Sequence, residues 1–148
     1  MNSTSAEETM PLPTKLQQIV DDFAAAPDEL RTELLLEMSD DLPPLPEGMD
    51  SSEMEQVVEC QSPFFLATEV GEDETVRMWF DAPPQAPTTR GFAGILAQGL
   101  DGASREEVLG VEDDFHDKLN LASLISPLRM NGMSAILARL KRQVREAG

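Results

Sequence analysis

Proline placement constrains this chain first, because each proline lacks a backbone N–H and pushes the residue before it away from helical geometry. Pro27, the run Pro43-Pro44-Leu45-Pro46, Pro63, the group Pro83, Pro84 and Pro87, and Pro127 divide it into short segments. Ahead of the first of these, Leu16, Ile19, Val20 and Phe23 recur at i, i+3, i+4 and i+7. That spacing predicts an amphipathic helix, with Thr14 and Gln17 as its capping box. Pro27 stops it, and Asp28 opens a second helix with Leu30, Leu34, Leu35 and Met38 apolar and Glu29 and Glu33 toward water.

The proline run and Gly48 read as a loop into a different kind of element. Residues 56–59, with Val57 and Val58, predict a short first strand, and residues 64–70, aromatic and β-branched, a second. Gly71-Glu72-Asp73-Glu74 is a turn. It leads into a third strand at 75–81, where Val76, Met78 and Phe80 alternate with Arg77 and Trp79. After the next prolines a helix resumes near Thr88 or Thr89, with Phe92, Ile95, Leu96 and Leu100 on one face. Ser104 and Glu107 predict a capping box for a short helix, residues 113–120 a further helical stretch. Ser126-Pro127 supplies the N-cap and first residue of a long last helix striped by Met133, Ile136, Leu137, Leu140 and Val144. Its basic residues Arg139, Lys141, Arg142 and Arg145 suit a negative C-terminal end. Two helices, three strands and then more helices predict an α+β domain, a small three-stranded antiparallel sheet packed against helices that cover one face. Residues 1–13 read as a flexible lead-in and 14–148 as one domain, a length that buries a single core.

Composition narrows the function classes. A hydrophobic fraction of 41% fits a folded globular chain. The net charge of −17 argues against nucleic acid and anionic membrane, and suits either a solubilised surface or docking on a basic partner. Residues 1–10 carry Glu7 and Glu8 and no apolar core of a signal peptide; with one cysteine, Cys60, and so no internal disulfide, the expectation is a cytoplasmic protein.

Cys60 lies in Glu59-Cys60-Gln61-Ser62-Pro63, between two predicted strands, which puts the thiol on a bend braced at both ends. Sulfur chemistry needs the thiolate, and an ordinary cysteine is only about 3% ionised at pH 7. Glu59 works against ionisation, whereas Gln61 and Ser62 can hydrogen-bond a sulfur anion. Arg129, in the first turn of the last helix, occupies an end where the dipole favours acids, so something anionic is expected to face it: a surface carboxylate, or the sulfur of Cys60.

The Cys60-Gln61-Ser62 core, the hairpin after it, the Arg90-Gly91 opening of the next helix and the segment Ser126-Pro127-Leu128-Arg129-Met130-Asn131-Gly132-Met133 together resemble the SufE family. The likeness runs in matching order from about Leu16 to the last helix. It implies a fold related to the IscU scaffold (SufE/IscU-like), and a sulfur acceptor for a pyridoxal-phosphate cysteine desulfurase (SufS-like). On that likeness Cys60 carries the persulfide, Gln61 and Ser62 border it, and Arg129 lines its shelter or meets the partner. The likeness further implies that the protein stimulates the desulfurase and passes sulfur to an iron–sulfur scaffold (SufB-like). The resemblance also implies no bound cofactor or metal, a monomer or weak homodimer, and a cysteine loop that moves between sheltered and extended states. Typical members have glycine before the cysteine, where this chain has Glu59, and glutamine where it has Pro63; both replacements stiffen the loop.

Two other readings of the residues stand beside this one. Cys60 with His116, the single histidine, would make a thiol-nucleophile hydrolase or transferase, although His116 sits in a polar stretch expected to be solvated. Alternatively the acidic surface is the working part and Cys60 is incidental. One cysteine and one histidine are too few ligands for a cluster held by this chain alone.

Overall fold

The computed structural model describes residues 12–60 and 62–147, so most of the predicted lead-in lies outside the described residues. Two helices come first, α1 (Thr14–Ala25) and α2 (Asp28–Asp40). A sheet follows, of β1 (Glu55–Gln56), β2 (Phe65–Val70) and β3 (Val76–Asp81), antiparallel in the order β1-β2-β3. Helices α3 (Pro87–Leu100), α4 (Arg105–Leu109) and α5 (Pro127–Ala147) complete the α+β architecture expected from the sequence, with 3-10 turns at Ser51–Glu53 and Phe115–Leu119.

Register fixes which sheet face is buried. Leu66 pairs with Phe80, Thr68 with Met78 and Val70 with Val76, and this is the face the helices cover. The opposite face pairs Phe65 with Asp81, Ala67 with Trp79 and Glu69 with Arg77; Trp79 is half-buried there, as its alternation predicts. α5 lies across the inner side of β2, tied by the Thr68 Oγ1 donation to Gln143 Oε1 at 3.0 Å. Among the described residues no helix is long and apolar enough to cross a membrane.

The predicted stripe of α1 is buried throughout: Leu16, Ile19, Val20 and Phe23. Removing each such side chain from water contributes about 1.5–3 kcal/mol. Its cap differs from expectation. The Gln17 amide donates to the Pro13 carbonyl at 2.9 Å, so the helix starts one residue earlier, and the Gln17 side chain turns to Asp21 instead. The Ser104–Glu107 capping box forms as expected, in both directions.

α2 corrects its predicted stripe. Leu30 is half exposed, and the innermost positions are Arg31, Leu35 and Ser39, at i, i+4 and i+8. Arg31 is buried with its guanidinium satisfied by backbone carbonyls: Nε donates to Phe23 O at 3.1 Å, Nη2 to Ala26 O at 2.6 Å and Nη1 to Asn120 O at 3.2 Å. It thereby caps α1 and fastens it to the turn before α5. α2 approaches α3 closely, since a Cβ on Gly94 would lie 2.1 Å from the Met38 carbonyl oxygen and one on Gly91 2.6 Å from that of Leu35. The predicted helical stretch at 113–120 is the 3-10 turn Phe115–Leu119, ended by Asn120 at φ 57.

Candidate functional site

The chain between β1 and β2 forms the site. β1 is shorter than predicted: Val57 still donates to Phe64 O at 2.8 Å, but the Cys60 amide turns back to Val57 O at 3.1 Å, so the ladder ends there. Val57 and Phe64 are fully buried and pin both ends of the bend, while Val58 stands 67% exposed at its outer side. Cys60 is thus on a braced bend, as expected, but its thiol turns inward and is buried against α5. Gly132 makes the space: its carbonyl is 4.0 Å from Sγ, and a Cβ there would come within 3.3 Å of the sulfur.

On one side of the sulfur lies a pocket of about 430 Å3, lined by Glu59, Cys60 and Ser62, by residues 85–89 and by Leu128, Arg129 and Gly132. Two helices begin at its wall, α3 at Pro87 and α5 at Pro127. First-turn amides lack acceptors within their own helix, and the dipole is positive at that end, so the wall favours an anion. Arg129 stands at this wall, its amide capped by Ser126 Oγ at 3.3 Å. Among the described residues no carboxylate lies within ion-pair distance of its guanidinium. Cys60, Ser62 and Arg129 are therefore brought together; Gln61 lies outside the described residues.

Burial first, and then the neighbouring Glu59 carboxylate, push the Cys60 thiol up to about 11, against the opposing pull of Arg139. At pH 7 such a thiol is ionised in only about one molecule in ten thousand. A folded-state value raised above the unfolded one gives stability that is complete below the unfolded value and is lost as pH climbs through the folded value. For Cys60 that window runs from about 9 to about 11. Thiolate absorbance is accordingly expected to titrate near pH 11 in the native protein and near 9 in urea. A native midpoint at 9 would mean that the thiol is not sheltered.

Two further residues differ from expectation. His116 is buried, not solvated, because Phe115 and Leu119 fold its turn into the core. Its Nδ1 lies 3.4 Å from Ser134 Oγ and its Nε2 3.6 Å from an Asp117 carboxylate oxygen, so each ring nitrogen faces a group other than Cys60. Arg139 is not at the helix end, which comes two turns later at Ala147. It reaches back to the cysteine bend, donating from Nη2 to both Glu59 oxygens at 2.8 and 3.1 Å and from Nη1 to Glu55 Oε2 at 2.7 Å. The sequence does carry a signal for this: Arg139 is seven residues after Gly132, two helical turns along one face.

A family model described as SufE, Fe-S metabolism associated domain, matches residues 17–144. The chain belongs to the SufE family. A SufE-like protein of Mycobacterium tuberculosis is 52% identical over 136 residues, spanning 92% of this chain and 95% of that one. A SufE-like protein of Rhizobium meliloti is 30% identical, over 86% of this chain and 93% of its own. The solution structure of a hypothetical protein from Thermus thermophilus superimposes with a TM-score of 0.82 at 42% identity, covering 93% of this chain and 98% of that one. As a SufE-family member the chain has a role in iron–sulfur metabolism.

Proposed function

We propose that this SufE-family chain accepts sulfur from a pyridoxal-phosphate cysteine desulfurase as a persulfide on Cys60, stimulates that enzyme, and passes the sulfur to an iron–sulfur scaffold. The observation that carries the reading is the convergence of the Cys60 sulfur, two helix N-termini and Arg129 on one pocket.

The transfer needs no electron donor. The Cys60 thiolate attacks the terminal sulfur of the donor persulfide; the Cys60 S–S bond forms as the donor's breaks, and the donor cysteine leaves as thiolate. The Cys60 proton goes to solvent. A thiol near pKa 11 is a poor nucleophile at neutral pH, so the attack takes place with the sulfur drawn out of its shelter into the donor's site. Once loaded, the terminal sulfur is more acidic than a thiol and ionises readily. It extends one atom beyond Sγ into the pocket, where the positive ends of two helix dipoles and Arg129 favour the anion. Ser62 lines the same pocket, and the acidic surface favours a basic docking face on the partner. The carrier holds no cofactor of its own in this reading, works in a reducing cytoplasm as a monomer or weak homodimer, and binds neither nucleic acid nor membrane.

The test is to incubate the chain with a SufS-like desulfurase, pyridoxal phosphate and cysteine, without reductant, and weigh it intact. One added sulfur atom, mapped to Cys60, is the expected result. An unmodified Cys60 beside a turning-over desulfurase would overturn the proposal.

A further inference from the structure

Glu59, the residue before Cys60, forms an ion pair with Arg139 on α5. Arg139 is positioned independently of Glu59. Glu55, on β1, takes its Nη1 at 2.7 Å, and also accepts from Gln143 Nε2 at 2.8 Å and from Arg142. Glu59 lies beyond the end of β1 and meets the same guanidinium through a fork, with Nε at 3.1 Å from Oε1 and Nη2 at 2.8 and 3.1 Å from the two oxygens. The Glu59 side chain is 38% exposed and that of Glu55 25%. Glu55 is therefore a fixed base and Glu59 a releasable arm. The arm's attachment is next in sequence to Cys60, and the bend behind it is pinned at Val57. The other described tie from this arm to α5 is weak, the thiol facing Gly132 O at 4.0 Å.

We propose that the Glu59–Arg139 ion pair is a latch that holds Cys60 in its buried position, making the two side chains positioning residues for the acceptor thiol. This deepens the sulfur-acceptor reading by giving the sheltered state a specific, breakable contact. Releasing Glu59 frees the bend to swing outward from Val57 while Glu55, Arg142 and Gln143 keep β1 and α5 joined.

Alkylation of Cys60 by iodoacetamide in the otherwise untreated protein, followed by intact mass, reads the latch without any desulfurase. Failure here leaves sulfur transfer to be judged on its own test, and the reverse. Glu59→Gln and Arg139→Gln each break the fork, and both are expected to speed alkylation about five-fold, the scale of a partly exposed forked pair. A purely local charge effect behaves differently: Glu59 raises the thiol's pKa and Arg139 lowers it, so the two variants would then move the rate in opposite directions. Molar sodium chloride is expected to speed the wild type toward the variants and to leave them unmoved. Glu55→Gln keeps the Glu59–Arg139 fork and is expected to alkylate at the wild-type rate. The proposal is overturned if Arg139→Gln slows or leaves alkylation unchanged, or if Glu55→Gln accelerates it equally through general loosening of β1.

Discussion

Replacing Cys60 by serine is expected to abolish sulfur uptake altogether and to return a partner desulfurase to its unassisted rate. The chain has a single cysteine, so no neighbouring thiol can take over the displacement. Serine oxygen cannot attack the terminal sulfur of a persulfide to any useful extent. The fold should survive, because the hydroxyl is smaller than the thiol it replaces, although the Gly132 carbonyl, 4.0 Å from Sγ, is too far to pair with it. The stability cost of placing a hydroxyl there is about 1 kcal/mol. Desulfurase turnover and intact mass measured side by side decide the matter. A serine variant that stimulates turnover as fully as the wild type would reassign the function to the acidic surface, with Cys60 incidental.

Gly94→Ala is expected to destabilise the protein by about 2–3 kcal/mol, although alanine is the better helix former by about 1 kcal/mol. The added Cβ would fall 2.1 Å from the Met38 carbonyl oxygen, which is backbone and cannot rotate away. α2 and α3 must separate, and Gly91 shows that the crowding extends along the contact, its Cβ meeting the Leu35 carbonyl oxygen at 2.6 Å. α3 also starts at the sulfur pocket, so the displacement reaches Thr88 and Thr89. Thermal unfolding should drop by roughly 8 °C for a chain of this size. A rise in melting temperature would show that propensity outweighs the contact and that the helices are less closely packed than described.

The elements are legible in the sequence where a period repeats often enough to mark a face. The stripe of α1 and the alternation of β3 each place their buried residues by spacing alone. What spacing hides are contacts between elements distant in sequence. Arg31 looks like a surface residue of α2 until three backbone carbonyls, one of them 89 residues away, take its donors. Leu30 then loses the inner place that hydrophobicity assigns it. His116 misleads for a similar reason: its acidic neighbours face water, while the 3-10 turn rotates it with Phe115 and Leu119 into the core. At the site, the helix dipole predicts an anion opposite Arg129, but choosing Cys60 over a surface carboxylate takes the family likeness, since nothing local joins residues so far apart. Sequence position assigns Arg139 to its own helix's dipole, whereas its partners are Glu59 on the cysteine bend and Glu55 on β1, 80 and 84 residues earlier.

The inward turn of Cys60 against Gly132 has a consequence for oxidative damage. Peroxide attacks thiolate, and the sulfenic acid it produces is rescued when a second cysteine condenses with it. This chain has no second cysteine, so a sulfenic acid at Cys60 would proceed toward irreversible sulfinic and sulfonic acids unless an outside thiol reached it first. Keeping the idle thiol protonated and buried slows the first oxidation instead of repairing its product. On the proposed sulfur-acceptor reading, the narrow gap left by the missing side chain of Gly132 on α5 thus serves as an antioxidant defence between transfers.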